Sequence, residues 1–278
     1  MGSHDSFYRI LGVNIAVSCP DPQLRTLMQS HWGRMASSQL HGDLSYTVSR
    51  NESTSAISIT RTGQPTKSTT DEGEFLYELE SDANMAVQLL RRDLYFLHAA
   101  VAEFEGGAYL FVAESGGGKS TTLWGLLHHD WGYLSDELAP IELSSMHVQA
   151  YPRALCLKSR PSPAYPLPDA TIHTPRTSHI PVKHLPQVSD LESCPLVPAY
   201  FVNYCPVASA PAVRAITAGE AAARLYANTL NQLAHTNAGL DAAVQIAKNI
   251  PGFALDSADL ATTCAVVGSH AIAGLENK

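Results

Sequence analysis

Ala108-Tyr-Leu-Phe-Val-Ala-Glu-Ser-Gly-Gly-Gly-Lys-Ser120 is the stretch on which the reading of this chain turns. Its first six residues form an unbroken apolar run, too short for a helix and of the length of a strand buried on both faces. Three glycines follow, and they let the backbone curl so that successive N–H groups face one anion. Lys119–His128 then carries a helical pattern, and the N-terminus of such a helix offers unpaired N–H groups and a favourable dipole to phosphate. Strand, glycine loop and helix with Lys-Ser at the junction follow the phosphate-loop pattern Gly-x4-Gly-Lys-Ser/Thr, with Ala113 in place of the first glycine. The pattern predicts a bound nucleoside triphosphate, with Glu114, Ser115, Gly116, Gly117, Gly118, Lys119, Ser120 and Thr121 around it. Lys119 is expected to reach the β- and γ-phosphates, and the Ser120 hydroxyl to serve Mg²⁺.

Downstream, Tyr133-Leu134 begins a strand that ends in Ser135-Asp136-Glu137. A carboxylate at such a strand end can hold Mg²⁺ or take the proton of an attacking hydroxyl. It can also be a plain turn or cap acid, and the glycine loop just upstream favours the chemical roles. His98 lies upstream among apolar residues, where a histidine is either a hydrogen-bonded core residue or a catalytic one. His128 and His129 close the loop helix. As adjacent residues they point to different sides, which argues against a shared metal.

Outward from this centre the chain alternates over 8–18 as a strand does. Asp21 is positioned to cap a helix carrying Leu24, Leu27, Met28 and Met35. Strands are expected at 44–49 and 56–60, a polar loop over 62–73, and a helix over 82–92 that buries Met85, Leu89 and Leu90. Residues 159–198 hold nine of the 17 prolines and read as a long irregular segment. Tyr200–Tyr204 reads as a strand. Thr217-Ala-Gly-Glu220 is a capping box opening a helix to about Ala234, with further helices over 239–249 and 258–267. The expected division is an N-terminal α/β region over 1–94 and a phosphate-loop domain over 95–278.

The formal charge of −8 argues against a general role on nucleic acid or an anionic membrane. Five scattered cysteines without a CxxC pair point to neither a disulfide framework nor a zinc ribbon, and to a reducing cytoplasm. No apolar run reaches the ~20 residues of a membrane span, and the opening Met1-Gly-Ser-His4 does not read as a signal peptide.

Three segments together resemble a known family: Leu97-His98-Ala99-Ala100, the loop Glu114–Ser120, and Tyr133-Leu-Ser-Asp-Glu137. They are similar to the kinase domain of HPr kinase/phosphorylase, and closer to the HPr-kinase-like enzymes of peptide maturation, including lasso peptide kinases. The resemblance implies a P-loop kinase of the HPr kinase/PEP carboxykinase-like type, α/β, with a mixed central sheet and flanking helices. It implies Asp136 as the base toward the acceptor hydroxyl, Glu137 as a metal-side acid beside Ser120 and Asp136, and a catalytic role for His98. Tyr151-Pro-Arg-Ala-Leu-Cys-Leu-Lys158 is similar to a segment of the same relatives, which makes Arg153 and Lys158 candidates for phosphate or substrate contact. The family carries aspartate where this chain has Glu137. No stretch resembles the Glu-x-Arg-Gly-x-Gly signature of HPr kinases, which points away from HPr as acceptor. The expected activity is transfer of the γ-phosphoryl group of Mg-ATP to a serine-type hydroxyl of a peptide or protein. The rival readings are an HPr-type kinase/phosphorylase, a small-molecule kinase or carboxykinase-like enzyme, and an ATPase or switch without acceptor.

Overall fold

The computed structural model describes residues 4–39, 41–205, 207 and 210–276; Met1–Ser3 of the opening lie outside them. The chain is mixed α/β and divides into two compact units. The first comprises residues 1–91, 152–159 and 168–184; the second comprises 92–151, 160–167 and 185–278. The first crossing between the units falls at 91/92, where the sequence reading has 94/95. Two segments read from sequence with the later region, 152–159 and 168–184, belong to the first unit.

The first unit is built on five strands in chain order: Asp5–Ile10, Val13–Ser18, Leu44–Arg50, Ile57–Arg61 and Lys67–Thr69. Neighbours are antiparallel except for the parallel pair formed by Val13–Ser18 and Leu44–Arg50. The alternation over 8–18 is thus a hairpin, broken by a turn where Leu11 and Gly12 both have positive φ, 49° and 83°. The loop expected over 62–73 contributes the short strand Lys67–Thr69. Helix Pro22–Trp32 starts where Asp21 accepts from the N–H groups of Gln23 and Leu24, at 2.8 and 3.1 Å. It buries Leu24 and Met28.

The second helix of this unit, Glu72–Leu90, begins ten residues before the expected Asp82. Asp71 caps it, accepting from the N–H of Glu74 at 2.7 Å. Its buried stripe is Phe75, Leu76, Leu79, Ala83, Ala86 and Val87, at the helical spacing of three and four. Met85, Leu89 and Leu90, expected inside, are exposed. Met85 and Leu89 lie off the stripe, whose phase is set by residues before Asp82; Leu90 continues its phase but is the last residue of the helix and is exposed at its end. Leu155–Leu157, Ile172–His173 and Ser178–Ile180 add a small antiparallel sheet.

The second unit is organised by a nine-stranded mixed sheet. At its centre Gly107–Val112, buried at every position, runs antiparallel to Ala99–Phe104 and parallel to the latter half of Ser193–Tyr204. Gly132–Ser135 extends one side and Gly252–Ser257 the other, the latter pairing in turn with Ala212–Ala215. The first half of Ser193–Tyr204 leads instead to His147–Gln149, Ala139–Glu142 and Leu94–Leu97. Its 12 residues correct the irregular reading of 159–198 at the C-terminal end of that stretch. Proline is accommodated there because the register with Gly107–Val112 slips between Leu196 and Ala199, across Pro198, which has no N–H for the ladder.

Helices Lys119–Leu127, Ala218–Ala227, Leu240–Asn249 and Leu260–Glu276 complete this unit. Thr217 caps the second as its capping box requires, accepting from the N–H of Glu220 at 3.2 Å. That helix stops at Ala227, short of the expected Ala234. Gly125 lets Lys119–Leu127 approach Leu260–Glu276 closely: a Cβ there would sit 2.6 Å from Cys264 Sγ. No helix among the described residues is long and apolar enough to cross a membrane.

Candidate functional site

The site forms where Gly107–Val112 ends and Lys119–Leu127 begins, inside the second unit. The connecting loop is shaped by its glycines. Gly118, the residue before the helix, has φ 96°, a left-handed value that a side chain opposes. Gly117 is required for a different reason: a Cβ there would stand 2.8 Å from the Ala113 side chain. The alanine that replaces the first glycine of the pattern is thus accommodated by the bare backbone of Gly117. A turn closes the loop, with Gly117 N–H donating to the Glu114 carbonyl at 3.0 Å.

Lys119 is buried, and its Nζ donates to the carbonyls of Ala113 at 2.7 Å and Glu114 at 3.2 Å. The ammonium therefore lies against the loop from within. Ser120 and Thr121, partly exposed, follow in the first helical turn. The Ser120 hydroxyl donates to Asp136 Oδ1 at 2.7 Å. This bond joins the two segments singled out in the sequence, 16 residues apart. Asp136 itself is 1% exposed.

Asp136 and Glu137 follow Gly132–Ser135 in a turn pinned by Ser135, whose hydroxyl donates to the Leu138 carbonyl. Glu137 has φ 92°, a left-handed conformation that costs a residue with a side chain on the order of 1–3 kcal/mol. Its carboxylate is half exposed and stands 3.3 Å from His98 Nε2. The backbone of His98 is held as well, its main-chain N–H donating to the Asn228 carbonyl at 2.8 Å. Asn231 fastens the same strand, donating to the Leu94 carbonyl and accepting from the N–H of Phe96.

The structure thus brings Lys119, Ser120 and Asp136 into one hydrogen-bonded group and pairs Glu137 with His98. Arg153 and Lys158 lie in the first unit. Arg153 is buried there, with Nε 3.1 Å from Glu80 Oε1, whereas Lys158 is exposed. His128 and His129 end the loop helix. His129 Nε2 lies 2.9 Å from the Tyr165 hydroxyl, and His128 packs edge-on against Trp124. Burial, then the neighbouring His129, lowers the His128 pKa.

Three residues not singled out in the sequence stand at the same sheet edge. Gly107–Val112, Ser193–Tyr204 and Gly252–Ser257 are parallel, and Val112 is level with Phe201. Asn203 and Asp256 therefore emerge just beyond that level, joined by Asn203 Nδ2 donating to Asp256 Oδ1 at 2.9 Å. Ser257 Oγ lies 3.9 Å from where a Cβ on Gly118 would be. In open α/β sheets ligands bind outside the carboxyl ends of parallel strands. No local motif marks these residues; only the strand register places them.

The oxygen donors of this site suit a hard divalent cation: a helix-terminal hydroxyl and a buried carboxylate converge within 2.7 Å. No family model matches the chain, and no curated protein is found similar to it.

Proposed function

We propose that the chain is a P-loop phosphotransferase of the HPr-kinase-like type, moving the γ-phosphoryl group of ATP to a serine-type hydroxyl on a peptide. The observation that carries the reading is the Ser120–Asp136 hydrogen bond at the mouth of the glycine loop. It couples the residue that would serve Mg²⁺ to the first acid of the downstream pair. When bound, Mg²⁺ would neutralise charge between the β- and γ-phosphates.

The protein's own part is binding, positioning and proton transfer. The N–H groups from Ser115 to Thr121 would cradle the phosphates at the helix terminus. Lys119 would exchange the Ala113 and Glu114 carbonyls for phosphate oxygens. Ser120, Asp136 and Glu137 would hold the metal. Asp136 would also receive the acceptor's proton at its carboxylate, and its burial disfavours water as a competing partner. His98 would orient Glu137 through their 3.3 Å contact. The strained backbone at Glu137 supports a functional reading, because such strain concentrates at sites that use it. The Arg153 guanidinium is taken up by Glu80 in the first unit, so neutralisation is assigned to Lys119 and the loop amides. This activity on a peptide acceptor fits a cytoplasmic protein.

The experiment is mass spectrometry after incubation with ATP and Mg²⁺, offering a serine-ended precursor-like peptide, purified HPr and a panel of small alcohols in parallel. The expected result is a gain of one phosphate on the peptide alone. Phosphate on HPr alone restores the HPr-type reading. Phosphate on a small alcohol moves the protein to the small-molecule kinases, and ATP consumed with no acceptor modified makes it an ATPase.

A further inference from the structure

We propose that the first unit contains a transition-metal site, of Zn²⁺ type, formed by His31, Cys156 and His179 with Glu80 beside them. Among the described residues these three side chains alone form a group whose ligating atoms, two imidazole nitrogens and one thiol sulfur, all lie within 4.8 Å of one another. They come from distant parts of the chain. His31 is in the last turn of Pro22–Trp32, and Cys156 and His179 are direct cross-strand partners in the small sheet. The Ala154 N–H donates to the His31 carbonyl at 2.8 Å, which ties that helix end to the segment bearing Cys156.

The state of each ring supports a metal over a hydrogen-bonded core cluster. His31 is 2% exposed, and neither of its ring nitrogens has a hydrogen-bond partner. Its Nε2 is 3.0 Å from Glu80 Oε2, close enough for attraction but not aligned as a hydrogen bond. A buried imidazole left so is costly unless something else takes its lone pair. His179 is oriented from behind: Nε2 lies 2.8 Å from the Thr177 hydroxyl, which turns Nδ1 toward Cys156 Sγ at 3.1 Å. A hydrogen bond that fixes the far nitrogen is the usual support of a ligating histidine, and here a hydroxyl takes the place more often held by a carboxylate, carbonyl or water. Arg153 Nη1 donates to the Cys156 sulfur at 2.9 Å, a contact that favours negative charge there.

Two imidazoles, a thiolate and an adjacent carboxylate are a mixed set that suits four-coordinate Zn²⁺, with Glu80 or a water in the fourth position. Binding releases the thiol proton of Cys156 to solvent, and no redox change is involved. The ion would act as a staple, joining one helix to strands more than 100 residues away in sequence.

The test uses the full chain, purified without metal-affinity resin, stripped with chelator and titrated with Co²⁺ and then Zn²⁺. One equivalent of Co²⁺ should produce tetrahedral d–d bands and a sulfur-to-cobalt charge-transfer band, and Zn²⁺ should displace it and raise the melting temperature. Cys156→Ser should lose the charge-transfer band, while Cys205→Ser in the other unit should keep it. Thr177→Val leaves all ligands in place and should weaken Zn²⁺ affinity about 10–100-fold. Absence of the band in a folded wild-type chain, or its persistence in Cys156→Ser, overturns the proposal. If Cys156→Ser does not fold, Thr177→Val decides: unchanged Zn²⁺ affinity overturns the site as drawn.

Discussion

At the scale of single residues, the glycine loop and the two acids make separable demands. Lys119→Ala removes a charge that would make charge-assisted contacts with phosphate, each worth about 1.5–3 kcal/mol. Nucleotide affinity should therefore fall roughly tenfold to a hundredfold, with far-ultraviolet circular dichroism unchanged. Calorimetric titration with a non-hydrolysable nucleotide checks this, and equal binding by the variant would remove the loop from the mechanism. Gly117→Ala should weaken binding as well, because its methyl meets Ala113. For the acids, Asp136→Asn keeps an oxygen that can accept from Ser120 but cannot take a proton. It should lose turnover far more than it weakens Mg-nucleotide binding, for which Ser120 and Glu137 remain. Glu137→Gln and, more mildly, His98→Ala should raise the Mg²⁺ concentration needed for half-maximal rate. A Mg²⁺ dependence identical to wild type in both would make the 3.3 Å pair a structural contact only.

At the scale of elements, the start of helix Pro22–Trp32 depends on one side chain. Asp21 accepts two helix N–H groups and stands 2.7 Å from Arg50 Nε. Losing the cap by Asp21→Ala should cost about 1 kcal/mol, read from chemical denaturation. Burial acts to raise the Asp21 pKa, but hydrogen bonds from the Leu24 N–H, the Arg50 guanidinium and the Gln23 N–H outweigh it and leave the pKa lowered. The linkage sign follows. A carboxylate with a depressed folded pKa stabilises above its unfolded value, and the benefit is lost as pH falls through the folded value. The difference between wild type and Asp21→Ala should be flat near neutrality and shrink below about pH 4. A gap that persists in strong acid would show that the ionised cap is not what stabilises the helix. This element was legible in advance because a cap is local: Asp21 and the residues it serves are within three positions. Helix Glu72–Leu90 was legible only in part. Its apolar residues are visible in sequence, but the buried face is led by Phe75, Leu76 and Leu79, which precede the stretch whose pattern predicts the helix.

At the scale of the molecule, the chain enters the first unit three times, through 1–91, 152–159 and 168–184. A fragment of residues 1–94 lacks the small sheet of Leu155–Leu157, Ile172–His173 and Ser178–Ile180, and with it Arg153 for Glu80. Removing one partner of a buried ion pair costs roughly 3–5 kcal/mol, a large part of a small domain's stability. The fragment should unfold without a sharp thermal transition. A cooperative melt at the temperature of the first unit in the intact chain would show that 1–94 is an independent domain. What the sequence by itself determined was local: the buried strand Ala108–Ala113, the glycine loop, the helix after it, and the acids Asp136 and Glu137. Each rests on neighbours a few positions apart, where backbone geometry and residue type suffice. Contacts across long separations were left to the tertiary structure. Ser120 meets Asp136, His98 meets Glu137, and Ser257 comes beside Gly118 because strand register places it there. Arg153 reads in sequence as a candidate for phosphate or substrate contact because nothing near it in the chain shows the Glu80 that pairs with it in the first unit. His31, Cys156 and His179 have no spacing that marks them as a set, since only the packing of a helix end on a small sheet brings their ligating atoms together.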